Sequence, residues 1–225
     1  MAIDLTKTDP KLGDDVRRIL TYAGVETPMH VIDMEDDMRR RTIENSVSLI
    51  MQALNLDLSD DSLKETPKRI AKMFLDEIYV GLDYNKFPKI TTIENKMKYE
   101  TMLVERHIAV KSTCEHHFVA FMGEAFIAYI PDKKIIGLSK INRIVEFFSR
   151  RPQVQERLTE QIWHTLCHIL GTENVAVLIK AEHFCVKLRG VEDVNSDTIT
   201  SRLGGQFYNQ ETRNEFYQSI GLGTL

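Results

Sequence analysis

The spacing of apolar and polar positions divides the chain into two parts. The first ~37 residues are polar and poorly periodic and close in the acidic stretch Asp33–Asp37, which predicts an arm or short helices. From Met38 the pattern changes. Ile43, Val47, Ile50, Met51 and Leu54 recur at helical spacing and predict a helix with one apolar stripe. After the polar turn Asp57–Ser62 a second helix is expected. Thr66 would cap it, Pro67 fits its first position, Ile70, Met73, Phe74 and Ile78 form its stripe, and Gly81 closes it.

Beyond residue 90 the periods alternate. Residues 101–113 and 124–130 predict strands, followed by a turn through Pro131, Asp132 and Lys133. A helix is expected from Ser139, with Ile141, Ile144, Val145 and Phe148 inward. Pro152 interrupts it, and a second helix with Leu158, Ile162, Leu166 and Ile169 inward runs to Gly171. Strands follow over residues 174–189 and near 196–207, then a short helix over 211–220. The order strand, strand, helix, helix, strand, strand predicts an α+β domain over residues 91–225, with an antiparallel sheet and both helices on one face. An arm and helical region over residues 1–90 would precede it.

Composition narrows the classes. At 225 residues, 43% hydrophobic and 28% charged, the chain can bury a core and does not resemble a disordered or fibrous sequence. A net charge of −4 excludes a globally basic nucleic-acid coat but leaves a local basic site open. No apolar run approaches the ~18 residues of a membrane span. The three cysteines, 114, 167 and 185, show no disulfide rhythm and predict free thiols in a reducing compartment. The expectation is a soluble, cytoplasmic protein with neither nucleic acid nor membrane as partner.

Two clusters carry metal chemistry. In Cys114-Glu115-His116-His117, Cys114 and His117 are three apart, so a turn can present thiolate and imidazole, ligands that suit zinc, to one ion. In Glu182–Arg189, read as a strand, His183, Cys185, Lys187 and Arg189 share one face, and Cys185 becomes the third ligand. Three protein ligands leave a position open for water, whose pKa catalytic zinc lowers to ~7. A closed structural site would need a fourth ligand, which His116 or His183 could supply. His164, Cys167 and His168 also sit at ligand-like helical spacing, but away from the Leu158/Ile162/Leu166/Ile169 stripe and with no other ligand indicated nearby.

A third cluster is basic. Lys140 and Arg143 stand one turn apart after Gly137-Leu138-Ser139, where a helix start favours anions. From Ser139 to Arg157 the segment carries +3, and with Lys187 and Arg189 it suits a polyphosphate. Gln155-Glu156 opens the second helix. A buried carboxylate there could accept from two N–H groups on one edge of a ligand.

Together these motifs, with Arg151–Thr159 and Glu65–Met73, closely resemble GTP cyclohydrolase I of the bacterial type, in order over roughly residues 40–210. The resemblance implies a T-fold, a four-stranded antiparallel sheet with two helices on one face, preceded by a helical region. It implies a homodecamer of two pentamers with sites at subunit junctions. The implied reaction converts GTP and water to formate and 7,8-dihydroneopterin triphosphate, the entry to folate and pterin synthesis. By the same resemblance, Zn2+ is held by Cys114, His117 and Cys185, and His116 and His183 act as acid and base with Ser139 nearby. Glu156 reads guanine with Gln155 beside it, and Lys140, Arg143, Arg189, Arg69 and Lys68 hold the triphosphate.

Two rival functions fit the same residues. One is a non-catalytic T-fold zinc module that binds a nucleotide or protein partner. The other, a T-fold reductase with a cysteine nucleophile, is disfavoured because Cys114 and Cys185 are better explained as ligands.

Overall fold

Alternation along the central strands organises the protein, whose computed structural model describes residues 4, 6–30, 32 and 34–222. Asp33 of the acidic stretch lies outside the described residues. The elements are α1 (Pro10–Tyr22), α2 (Asp36–Ala53), α3 (Thr66–Met73), β1 (Thr92–Glu94), β2 (Leu103–Cys114), β3 (Ala120–Tyr129) and β4 (Lys134–Ile136). Then come α4 (Leu138–Ser149), β5 (Pro152–Gln153), α5 (Gln155–Leu170), β6 (Val175–His183), the one-turn α6 (Phe184–Lys187), β7 (Thr198–Leu203) and α7 (Gln210–Ser219). The protein is mixed α/β.

The main sheet has the order β5-β2-β3-β6-β7. β2, β3, β6 and β7 pair antiparallel, and the two-residue β5 joins β2 in parallel. Two residues are too few for a period, so β5 leaves no trace in the sequence pattern. β1 and β4 form a separate antiparallel ribbon.

Neighbouring residues part to opposite faces. Ala125, Ile127 and Tyr129 join Val175, Val177 and Ile179 in a core closed by the stripes of α4 and α5. Phe126, Ala128, Ala176 and Leu178 face the other way and pack with Phe207, Phe216 and Ile220. Each large apolar side chain so buried contributes about 1.5–3 kcal/mol. β2 and β3 slip register between Glu105 and Ile108, where His107 takes a φ of 57°.

One large buried group is charged. Arg151 is fully buried, with its guanidinium about 5 Å from the ring centres of Tyr84, Phe147 and Phe148. It donates to Gly81 O and pairs with Glu26 at 3.4 Å, so the cation is not isolated.

The chain divides into two units, Met1–Thr27 with Gly81–Leu225, and Pro28–Val80. In the first, α1 starts with Pro10 after Asp9, whose side chain accepts from the Leu12 N–H at 3.0 Å, and its Val16 and Leu20 enter the core with α5. The second contains α2 and α3. Thr66 is the first residue of α3 rather than its cap, and the helix ends at Met73, with a wider turn over Phe74–Ile78, well before Gly81. In α2, Val47 and Met51 are buried while Ile50 and Leu54 are exposed, so the buried stripe is narrower than expected. Among the described residues no helix is long and apolar enough to cross a membrane.

Candidate functional site

β2 ends at Cys114, where the chain reverses. The Cys114 N–H donates to Val119 O at 2.8 Å and the Phe118 N–H to Cys114 O at 2.9 Å. In this turn the Cys114 sulfur is 3.9 Å from His117 Nδ1. Cys185 is delivered from α6, just past the end of β6, and the donor atoms of Cys114, His117 and Cys185 all lie within 4.8 Å of one another. Tetrahedral zinc with usual bond lengths would space such donors about 3.5–3.8 Å apart, so the three residues fit a cation after small adjustments. Burial raises the pKa of the Cys185 thiol, the neighbouring Cys114 sulfur raises it further, and Arg189 opposes both. A thiol whose ionisation a neighbouring sulfur hinders is a donor that a cation relieves. The chain therefore has a Cys–His–Cys group that could bind a metal.

The strand expected over Glu182–Arg189 is not formed beyond His183. The β3 ladder reaches its last pair at Phe121 and His183, and β7 pairs with β6 only as far as Ala181. Without partners the chain coils into α6, so the shared face of His183, Cys185, Lys187 and Arg189 is lost. Lys187 turns to Glu182 at 3.0 Å and to Val194 O at 2.7 Å, holding the acidic 191–195 loop rather than facing a ligand. Arg189 donates to His117 Nε2 at 2.9 Å.

His116 is exposed, with Nδ1 3.8 Å from the Cys114 sulfur. His183 is half-buried, and Gln155 Oε1 lies 2.8 Å from its Nε2. Burial lowers the His183 pKa, and the Glu156 carboxylate acts against that shift. Glu156 is exposed in the first turn of α5, not buried. Gln155 is 2% exposed, with its side-chain amide turned toward Ile179 O and Thr198 O of the sheet. Ser139 is exposed at the start of α4.

The basic cluster is larger than the sequence indicated. Lys140 has its pKa lowered by desolvation and by the charges of Arg143, Lys7 and Lys89. Arg143 Nη1 is buried without a hydrogen-bond partner among the described residues. Lys7 and Lys89 come together because the Lys89 N–H donates to Lys7 O at 2.9 Å, a pairing with no local sequence signal. Such a cluster of cations is a place for an anion. Lys68 and Arg69 are exposed on α3, in the other unit.

Glu115, sandwiched between candidate ligands in sequence, is instead a tether to Arg157 on α5. The helical His164–Cys167–His168 set forms no ligand group among the described residues. There, burial pushes the Cys167 thiol up to about 12, and His164 lies 3.6 Å from Glu160.

The model of the family GTP cyclohydrolase I matches residues 43–221. The GTP cyclohydrolase 1 of Erwinia tasmaniensis is 58% identical over 208 residues, covering 91% of this chain and 94% of that protein. That of Klebsiella pneumoniae subsp. pneumoniae is 57% identical over 208 residues, with 91% and 94% covered. That of Mannheimia succiniciproducens is 55% identical over 208 residues, with 92% and 95% covered.

Proposed function

The chain belongs to the GTP cyclohydrolase I family and is an enzyme that hydrolyses GTP, and we propose that it does so at guanine C8 with zinc held by Cys114, His117 and Cys185. The observation that carries this reading is the convergence of those three donors within 4.8 Å. Zinc bound there supplies a Lewis acid that makes water nucleophilic near neutral pH.

The chain's own residues do the rest. Glu156 accepts from guanine N1–H and the 2-amino group; adenine lacks both donors and leaves the carboxylate unpaired. His183 gives a proton to N7, which makes C8 electrophilic toward water. The imidazole ring opens and C8 leaves as formate. His116, with Ser139, moves protons as the ribose opens, rearranges and closes to 7,8-dihydroneopterin triphosphate, the first step of pterin and folate synthesis. Lys140, Arg143 and Arg189 hold the triphosphate, with Lys7 and Lys89 adding charge, and Lys68 and Arg69 contribute from a neighbouring subunit.

The sheet with α4 and α5 on one face serves as the T-fold of this catalytic unit. We assign the oligomer as a decamer of two pentamers. Apolar side chains exposed close in sequence to the site residues, Leu188 at 71% and Val191 at 81%, support a subunit contact there. Nothing in the geometry favours a non-catalytic zinc module.

The test is incubation of the zinc-loaded protein with GTP, following formate and, after oxidation, the fluorescent pterin. Both products are expected together. GTP binding without either product would make the protein the non-catalytic module.

A further inference from the structure

Gln155 opens α5 next to Glu156, yet its amide is spent inside the protein. Its Nε2 lies 3.0 Å from Ile179 O, 3.0 Å from Thr198 O and 3.1 Å from Thr200 Oγ1. Backbone carbonyls only accept, so the NH2 group must face them; an inverted amide would set its oxygen against two others. The threonines agree with this order. Thr159 Oγ1 donates to Gln155 O at 2.9 Å, so in its 2.7 Å contact with Thr200 it must accept, and Thr200 Oγ1 keeps a lone pair for the amide.

The Gln155 oxygen is thereby committed to the opposite side, where His183 Nε2 lies at 2.8 Å. An oxygen that only accepts requires a hydrogen on Nε2. A second restraint acts on the ring plane. Phe121, the cross-strand partner of His183, stacks on the imidazole with centroids 4.7 Å apart and planes 14° from parallel. Phe121 sets the plane of the ring and Gln155 its rotation within that plane.

We propose that Gln155 is a positioning residue that fixes the Nε2–H tautomer and orientation of His183, so that Nδ1 alone exchanges protons with the substrate. The proposal rests on the reading of His183 as the group that protonates guanine. It follows the general rule that an imidazole held through one nitrogen presents the other for chemistry.

Neutron diffraction from deuterated, zinc-loaded protein at a pH above the histidine range tests the tautomer directly. Deuterium is expected on His183 Nε2 and not on Nδ1; the reverse would overturn the proposal. Gln155→Met removes the acceptor at similar volume. Its expected effect is a loss in kcat on the order of 10–100-fold, with KM for GTP within about twofold. A raised KM with kcat kept would make Gln155 a substrate contact and overturn the proposal. If that variant fails to fold, the wild-type neutron map decides. His183→Ala at wild-type kcat would overturn the proton-transfer reading of His183, while the map would still report the tautomer.

Discussion

The Glu115 carboxylate accepts two hydrogen bonds from the Arg157 guanidinium, at 2.5 and 3.2 Å, and so ties the loop bearing His116 and His117 to α5. This bidentate pair holds the Glu115 carboxyl below the usual carboxylate range. The Glu115 N–H adds a bond to Gln153 O at 3.0 Å, fixing the loop from a second side. Because groups that orient ligands set metal affinity, Arg157→Ala should weaken zinc binding by about 10–100-fold. Competition against a chromogenic chelator measures this, and an unchanged affinity would show that the tether has no part in forming the site.

Lys7 and Lys89 add charge to Lys140 and Arg143 without belonging to any motif. Arg143→Ala should raise KM for GTP about tenfold, the loss of one charge-assisted contact. Lys89→Ala should raise it less, and its effect should shrink as salt screens the exposed charge. Steady-state kinetics at two ionic strengths checks both. An Arg143→Ala enzyme with wild-type KM would place the triphosphate elsewhere.

His164 has its pKa lowered mainly by desolvation, with Arg202 acting in the same direction and Glu160 against it. Its folded pKa therefore lies below the unfolded value of about 6.5, and the unfolded chain binds more protons between the two. Stability should fall as pH drops below about 6.5 and flatten below the folded pKa. His164→Gln should reduce this acid sensitivity. Urea midpoints at about pH 7.5 and about pH 5.5 read it, and equal shifts in variant and wild type would contradict the assignment.

Where periodicity was long, the sequence was a good guide. Ile141, Ile144, Val145 and Phe148 on α4, and Leu158, Ile162, Leu166 and Ile169 on α5, are all buried. The Cys114–His117 spacing was legible because a single turn brings both donors together. Other features depend on partners distant in sequence. The strand expected through residue 189 stops at His183 because neighbouring strands end, which no local pattern records. Gln155 is buried because β6 and β7, distant in sequence, offer it acceptors, and no local pattern records that. Arg151 sits in a cage of aromatic rings drawn from separate segments, a burial that no local pattern records.

Zinc content measured alongside GTP turnover, for wild type and five single variants, tests the central claim most directly. One zinc ion per chain is expected in wild type, His116→Ala and His183→Ala, with turnover lost in both histidine variants. Cys114→Ser, His117→Ala and Cys185→Ser should lose metal and turnover together. Loss of zinc in His183→Ala would make His183 a fourth ligand, and the open coordination position on which the hydrolysis depends would not exist.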